Sequence, residues 1–219
     1  MSTDFAWHFF RVLPSEEPKI HSAFESSVKQ SQIDEKAQAF FQSKEAESKS
    51  DQQDSFYEDY EFLFDLFYPD AFIELYGDIA TGKLPLGKQQ SEQAPLEFVL
   101  TNRVGASVMF FYSLGWQFIS KLPGYFGNMF ISPEAVAKTL VEVENVFREV
   151  DVEEFTRDAE TLGAWGNANE DVARSLASLL PNSLRTVLAE GNGLLALNYP
   201  DVGSIPYPGC EDDEYEGEG

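Results

Sequence analysis

Apolar positions along the chain fall into blocks whose spacing switches between two and three-to-four residues. Phe5, Trp7 and Phe9 alternate with Ala6 and His8 over residues 5–13, which is the period of a strand, with a short helix as the other reading, and Pro14 and Pro18 end the element. From Ser22 to about Lys49 the chain is rich in Glu, Gln, Lys and Ala. Phe24, Val28, Phe40 and Phe41 give that stretch a sparse apolar face, so one or two surface helices are expected. Residues 43–55 are the most polar internal segment and read as a linker or a frayed helix end, with Asp54 or Ser55 placed to cap the next helix. In that helix Phe56, Tyr60, Leu63, Phe64 and Phe67 recur at helical spacing, with Glu58, Asp59, Glu61 and Asp65 mostly between them. Pro69 breaks it, and a second piece opens at Asp70 with Phe72, Ile73 and Tyr76. Gly77, Gly82, Pro85 and Gly87 mark a loop.

Leu96–Leu100 reads as a strand. The uncharged run after it, Val104–Ser120, is 17 residues long and contains Ser107, Tyr112, Ser113, Gly115 and Gln117. It falls short of the roughly 20 apolar residues a membrane span needs. The alternation Val108, Phe110, Tyr112 predicts one or two further strands within it, and a buried core helix is the other reading. Ser132-Pro133-Glu134 has the form of a helix start, and Val136, Leu140, Val143, Phe147 and Val150 then step by 4, 3, 4 and 3. Asp151 with Glu154 makes a capping box for a second helix to about Leu162, after which Gly163, Gly166 and two asparagines form a turn. Leu176, Leu179 and Leu180 predict a helix ended by Pro181, and Asn182–Glu190 a separate short one stopped at Gly191. Leu194–Tyr199 is the closing strand. The pattern predicts a single α+β domain over residues 1–208, weakest near 43–55, with a small mixed or antiparallel sheet and several surface-packed helices. A disordered acidic tail is expected over 209–219.

Charge narrows the choice of partners. The net charge is −23, and three tracts hold all of it. Residues 50–82 carry nine acids and no base, residues 134–171 eleven acids and three bases, and the last ten residues six acids and no base. Elsewhere twelve acids balance twelve bases. Such a surface opposes direct binding to nucleic-acid backbones or anionic membranes, both of which require positive counterparts. The 19 phenylalanines and 9 tyrosines nevertheless supply a core. Cys210 is the single cysteine, so no intrachain disulfide forms. With no basic stretch leading into an apolar run near the N-terminus, the expected location is cytoplasmic.

Catalytic patterns are sparse. His8 and His21 are the only histidines and lie thirteen residues apart, with no zinc-ligand spacing and no calcium loop, so neither metal nor cofactor is expected. There is no Gly-x-Ser-x-Gly elbow, and neither Gly82-Lys83 nor Gly87-Lys88 continues into a P-loop. Carboxylate pairs such as Glu58 with Asp65 or Glu142 with Glu149 arise by chance among 38 acids. The acidic tracts either solubilise the protein or recognise a basic partner. For recognition, aromatic side chains rimmed by carboxylates form the apt surface. Tyr57, Glu58, Asp59, Tyr60, Glu61 and Asp65 have that composition, as do Asp158, Glu160, Trp165 and Glu170.

Three segments within residues 95–162 carry a family resemblance: Pro95-Leu96-Glu97-Phe98-Val99-Leu100, Gly124-Tyr125-Phe126-Gly127, and Ile131-Ser132-Pro133-Glu134-Ala135-Val136 with its helix. They resemble the small bacterial YfbM-like family, and Ala6-Trp7-His8 echoes its N-terminal segment. Val104–Leu122 and the acidic tail depart from that pattern. The resemblance implies an α+β fold and, through similar proteins among toxin-immunity candidates, an inhibitor role, and it transfers no catalytic residue. The leading expectation is therefore a non-enzymatic cytoplasmic protein that binds a basic protein partner, as an immunity protein or nucleic-acid-mimicking inhibitor. The alternatives are a hydrolase or transferase with an unrecognised active site, and a structural protein that assembles as a homo-oligomer.

Overall fold

In β1 (Asp4–Val12) the aromatic residues that alternate with Ala6 and His8 are buried, and so are Ala6 and His8 themselves. A strand buried on both faces belongs in the middle of a covered sheet, and that is where β1 lies. The computed structural model describes residues 4–44, 64–86, 96–102, 104–165 and 170–201. Among them β1 pairs with β2 (Glu97–Asn102) on one side and β4 (Gly193–Asp201) on the other, and β4 pairs with the short β3 (Met129–Ile131). The order is β2-β1-β4-β3 and every neighbouring pair is antiparallel, which makes the fold α+β as expected. One hydrophobic core runs through the described residues. The expected tail, 209–219, and most of the polar segment 43–55 lie outside them.

Register sorts the side chains onto two faces. Trp7 lies opposite Asn198 and His8 opposite Leu197, so Phe5, Trp7, Phe9 and Asn198 point one way and His8, Phe10, Leu197 and Tyr199 the other. The His8 face is covered by α3 (Asp70–Ala80), where Tyr76 stacks on Tyr199 with ring centroids 4.3 Å apart. Outside α3 packs α1 (Glu17–Ser31), whose Phe24 meets Phe72, and α1 leads into α2 (Ile33–Lys44). Pro14 ends β1 as expected, whereas Pro18 opens α1, where a missing N–H costs nothing.

The Trp7 face is covered by α4 (Ala106–Leu114), followed by the single turn α5 (Trp116–Ile119). This corrects the strand expectation for Val104–Ile119. All nine residues of α4 are buried, because it is enclosed between the sheet and further helices. A helix surrounded in this way has no polar stripe, so its apolar run mimics a buried strand. The enclosing helices are α6 (Val136–Glu149), α7 (Val152–Trp165) and α8 (Glu170–Glu190). The α6 periodicity is real: Val136, Leu140 and Val143 are buried. Pro181 lies inside α8 and does not end it, so the two helices expected there are one. Gly191, at φ 71°, closes α8 in a Schellman arrangement, with Gly191 N–H donating to Leu188 O and Asn192 N–H to Val187 O.

A tight hairpin turn, Tyr125–Asn128, is docked in the core against the Trp7 face. Phe126 (φ 49°) and Gly127 (φ 95°) both have positive φ, the signature of a type I′ turn, and Tyr125 and Asn128 exchange two backbone hydrogen bonds. Its carbonyls point inward: Trp7 Nε1 donates to Gly127 O at 2.9 Å and Asn198 Nδ2 to Phe126 O at 2.7 Å. Asn128 Oδ1 accepts the Asn198 N–H at 2.9 Å, extending the β3–β4 ladder by a side chain where β3 has ended. Asn128 Nδ2 and Asn198 Nδ2 both donate to Phe67 O, tying in the segment before Pro69. A Cβ on Gly127 would lie 2.8 Å from Asn198 Nδ2, so this position holds glycine for space as well as for φ.

Candidate functional site

The two acidic-aromatic patches fare differently. Tyr57, Glu58, Asp59, Tyr60 and Glu61 lie outside the described residues. Asp65 is exposed on a helical turn at 64–67, while its neighbours Leu66, Phe67 and Tyr68 are core residues. Phe64 packs half-buried against Phe5 and Tyr68, so the aromatic positions of this segment that are described serve the interior. Of the second patch, Trp165 and Glu170 are helical, one ending α7 and the other opening α8. Glu160 is half-buried and pairs with Arg174 across α7 and α8 at 3.2 Å. Asp158 is buried at 8% exposure, with Arg157 Nε 3.9 Å away, and does not present its carboxylate to solvent.

The fold also changes the charge of the second tract. Lys121, Arg174 and Arg185 all come from outside residues 134–171 and reach Glu149, Glu160 and Glu144 at 2.9, 3.2 and 2.7 Å. Within the tract, Lys138 approaches Glu142 at 3.6 Å. Exposed pairs of this kind contribute little to stability, commonly below about 1 kcal/mol. Their effect here is on the field: a tract that reads as strongly negative in sequence is partly neutralised on the surface.

Carboxylates also gather at the junction of α6 and α7, where Glu149 is the one paired with Lys121. Asp151 caps α7, its Oδ1 accepting from the N–H groups of Glu153 and Glu154 at 3.0 and 3.1 Å, as the capping box predicts. Asp151, Glu153 and Glu149 are exposed, and between them Val152 is 48% exposed, an apolar side chain on a carboxylate corner. The negative charges of Asp151, Glu153 and Glu154 sit at the positive end of the helix dipole, which favours them there. Sequence reasoning puts the patch further along α7. Val152 falls off the 4-3-4-3 apolar rhythm that ends at Val150, and that break is the available signal.

The titratable groups elsewhere are structural. His8 is buried between Phe10 and Tyr76, its Nδ1 3.3 Å from the Tyr76 hydroxyl, and burial pushes its pKa down to about 3. It therefore stays neutral across the physiological range and has no solvent access for proton transfer. His21 stacks on Phe130 at 5.1 Å and lies 3.8 Å from Glu25. Tyr125 is pushed up to about 12 by burial, by its hydrogen bond to Asp34 and by the charges of Asp34 and Glu25. Among the described residues no three His, Cys, Asp or Glu side chains converge as a metal site, and no helix is long and apolar enough to cross a membrane.

No family model, no curated protein and no solved structure matches the chain.

Proposed function

We propose that the chain is a non-enzymatic acidic protein that binds a basic protein partner in the cytoplasm, in the manner of an immunity protein or nucleic-acid-mimicking inhibitor. The observation that supports this best is the α6–α7 corner, where exposed Asp151 and Glu153 flank exposed Val152 in sequence and Glu149, paired with Lys121, ends the preceding helix. Carboxylates there steer a cationic surface into contact, and the apolar centre is desolvated on docking. The acidic-aromatic segment from Tyr57 to Asp65 is the second contact in this reading. The resemblance of three segments to YfbM-like proteins belongs to the same proposal, through the occurrence of similar proteins among toxin-immunity candidates. Inhibition is steric and electrostatic: the acidic face occupies the cationic surface with which the partner binds its own substrate.

The test is affinity capture from native lysate at low salt with high-salt elution. The expected result is one basic protein in near-stoichiometric amount. Substituting Glu149→Gln, Glu153→Gln and Glu154→Gln together, with the Asp151 cap left intact, is expected to weaken capture and flatten its salt dependence. A triple variant that binds the captured partner as the wild type does, with the same salt slope, removes this corner from the interface. Diffuse, salt-labile background in place of one protein removes the recognition reading.

A further inference from the structure

An open groove of about 310 Å3 lies between α6 and α8, lined by Glu144, Phe147, Arg148, Pro181 and Arg185. Two guanidiniums facing one groove stand out in a chain with 15 basic residues against 38 acidic ones. Each is held by an asparagine three residues before it on its own helix. Arg148 Nη1 donates to Asn145 Oδ1 at 2.7 Å, and Arg185 Nη1 donates to Asn182 Oδ1 at 2.8 Å. An amide partner fixes the direction of a guanidinium and leaves its charge unneutralised. Arg185 Nη2 also donates to Glu144 at 2.7 Å, whereas Arg148 has no carboxylate partner among the described residues. The lining therefore carries one positive charge in excess, with further N–H donors of Arg148 uncommitted. Half-buried Phe147 and buried Pro181 supply an apolar floor beside them.

We propose that this groove binds a small organic anion, a carboxylate on an apolar body, with the carboxylate on Arg148 and the body over Phe147 and Pro181. A planar guanidinium matches a carboxylate in a two-point fork, and the Asn145 tether removes much of the ordering cost. Glu144 selects the charge of the ligand. A monoanion balances the lining, and a phosphate dianion would meet the Glu144 carboxylate across the same groove. The overall charge of −23 opposes any anion from a distance. That field is screened over about 8 Å at physiological ionic strength, while a contact between guanidinium and carboxylate is screened far less.

Phenylacetate is the probe, and uncharged phenylacetamide its control, titrated into isotope-labelled protein at about 0.15 M salt and followed by amide chemical shifts. Saturable shifts confined to the backbone around 144–148 and 181–185 are expected, with the amide at least about tenfold weaker. Arg148→Gln, at an exposed position, is expected to weaken phenylacetate by about tenfold or more, and Lys83→Gln, at a distant exposed cation, to leave it unchanged. Asn145→Ala keeps every lining charge and loses only the tether, so a several-fold weakening is expected there too. The proposal is overturned by scattered or non-saturating shifts up to about 20 mM, by equal binding of the amide, or by wild-type affinity in both Arg148→Gln and Asn145→Ala.

Discussion

The two faces of the central sheet are covered with equal thoroughness and held by different means. On the Trp7 face the contacts are directional: Trp7 Nε1, Asn128 and Asn198 make five hydrogen bonds, which fasten the 125–128 turn and the Phe67 carbonyl to the strands. On the His8 face ring contacts are prominent, with Tyr76 stacked on Tyr199, and the polar contact between Tyr76 and His8 is long, at 3.3 Å. The difference arises from the kind of element each face must hold. A helix such as α3 satisfies its own backbone and needs only shape to dock. A buried turn brings carbonyls that its own two hydrogen bonds do not satisfy, and side chains of the sheet must supply the donors. The turn also contains Phe126 at φ 49°, a conformation costing a bulky residue about 1–2 kcal/mol. Stacking of Phe126 on Phe41 and its burial among Phe40, Phe67 and Phe111 offset that cost.

The largest expected effect comes from breaking the directional side. Asn198→Ala removes both bonds donated by Nδ2. Phe67 O keeps its bond from Asn128, but Phe126 O loses the Asn198 donor in a dry interior. One stranded buried carbonyl costs about 1–3 kcal/mol, and the missing amide leaves a small void in addition. A loss of about 3 kcal/mol is expected, read as a lower urea midpoint at unchanged slope. A loss below about 0.5 kcal/mol would mean that the turn is held by Phe126 packing alone.

Acid titration probes the opposite face. His8 has a folded pKa of about 3 against an ordinary value of 6.5. The unfolded chain therefore takes up a proton on this residue between those values and the folded chain does not. Stability from this source is complete above pH 6.5, falls as pH drops towards 3, and is level below that. The limiting slope is about 1.4 kcal/mol per pH unit, so about 2 kcal/mol should be lost between pH 6.5 and 5, before most carboxylates titrate. Urea midpoints of wild type and His8→Gln measured over this window should diverge, the variant showing the shallower dependence. Parallel profiles would place the acid sensitivity elsewhere.

Legibility in the sequence divides along similar lines. Periodic elements are legible: β1, α3 and α6 lie where spacing puts them and Asp151 caps α7, although α6 opens at Val136 behind Ala135 and not at a Ser132 cap, residues 133–135 forming a turn first. The enclosed α4 is not, because burial on all sides erases the polar stripe that identifies a helix. Pro181 misleads for a related reason. It removes one N–H from α8, and the packing of α8 against α6, α7 and β4 carries the helix past it. The amide junction is also hidden, since Asn128 and Asn198 come together only after 70 residues of chain are folded between them. For the acidic surface, residue counts supply the totals and nothing about their placement. They do not show that Lys121, Arg174 and Arg185 arrive from outside the tract, nor that Asp158 turns inward.

The smallest effect expected is at the hydroxyl of Tyr76. The ring is fully buried and makes the stack with Tyr199 and the edge contacts to His8 and Phe10. Tyr76→Phe keeps the ring and takes away the hydroxyl with its 3.3 Å contact to His8 Nδ1, which is long for an O–H hydrogen bond. If the His8 face is held by shape, the change should cost no more than about 1 kcal/mol at pH 7.5, well below that of Asn198→Ala. The two variants then differ because one removes a donor to a turn that has no substitute and the other a bond between groups on elements already docked. A cost for Tyr76→Phe equal to that of Asn198→Ala would erase the distinction between the faces. A smaller cost that grows on acidification would keep the distinction and identify the hydroxyl as part of what holds His8 neutral.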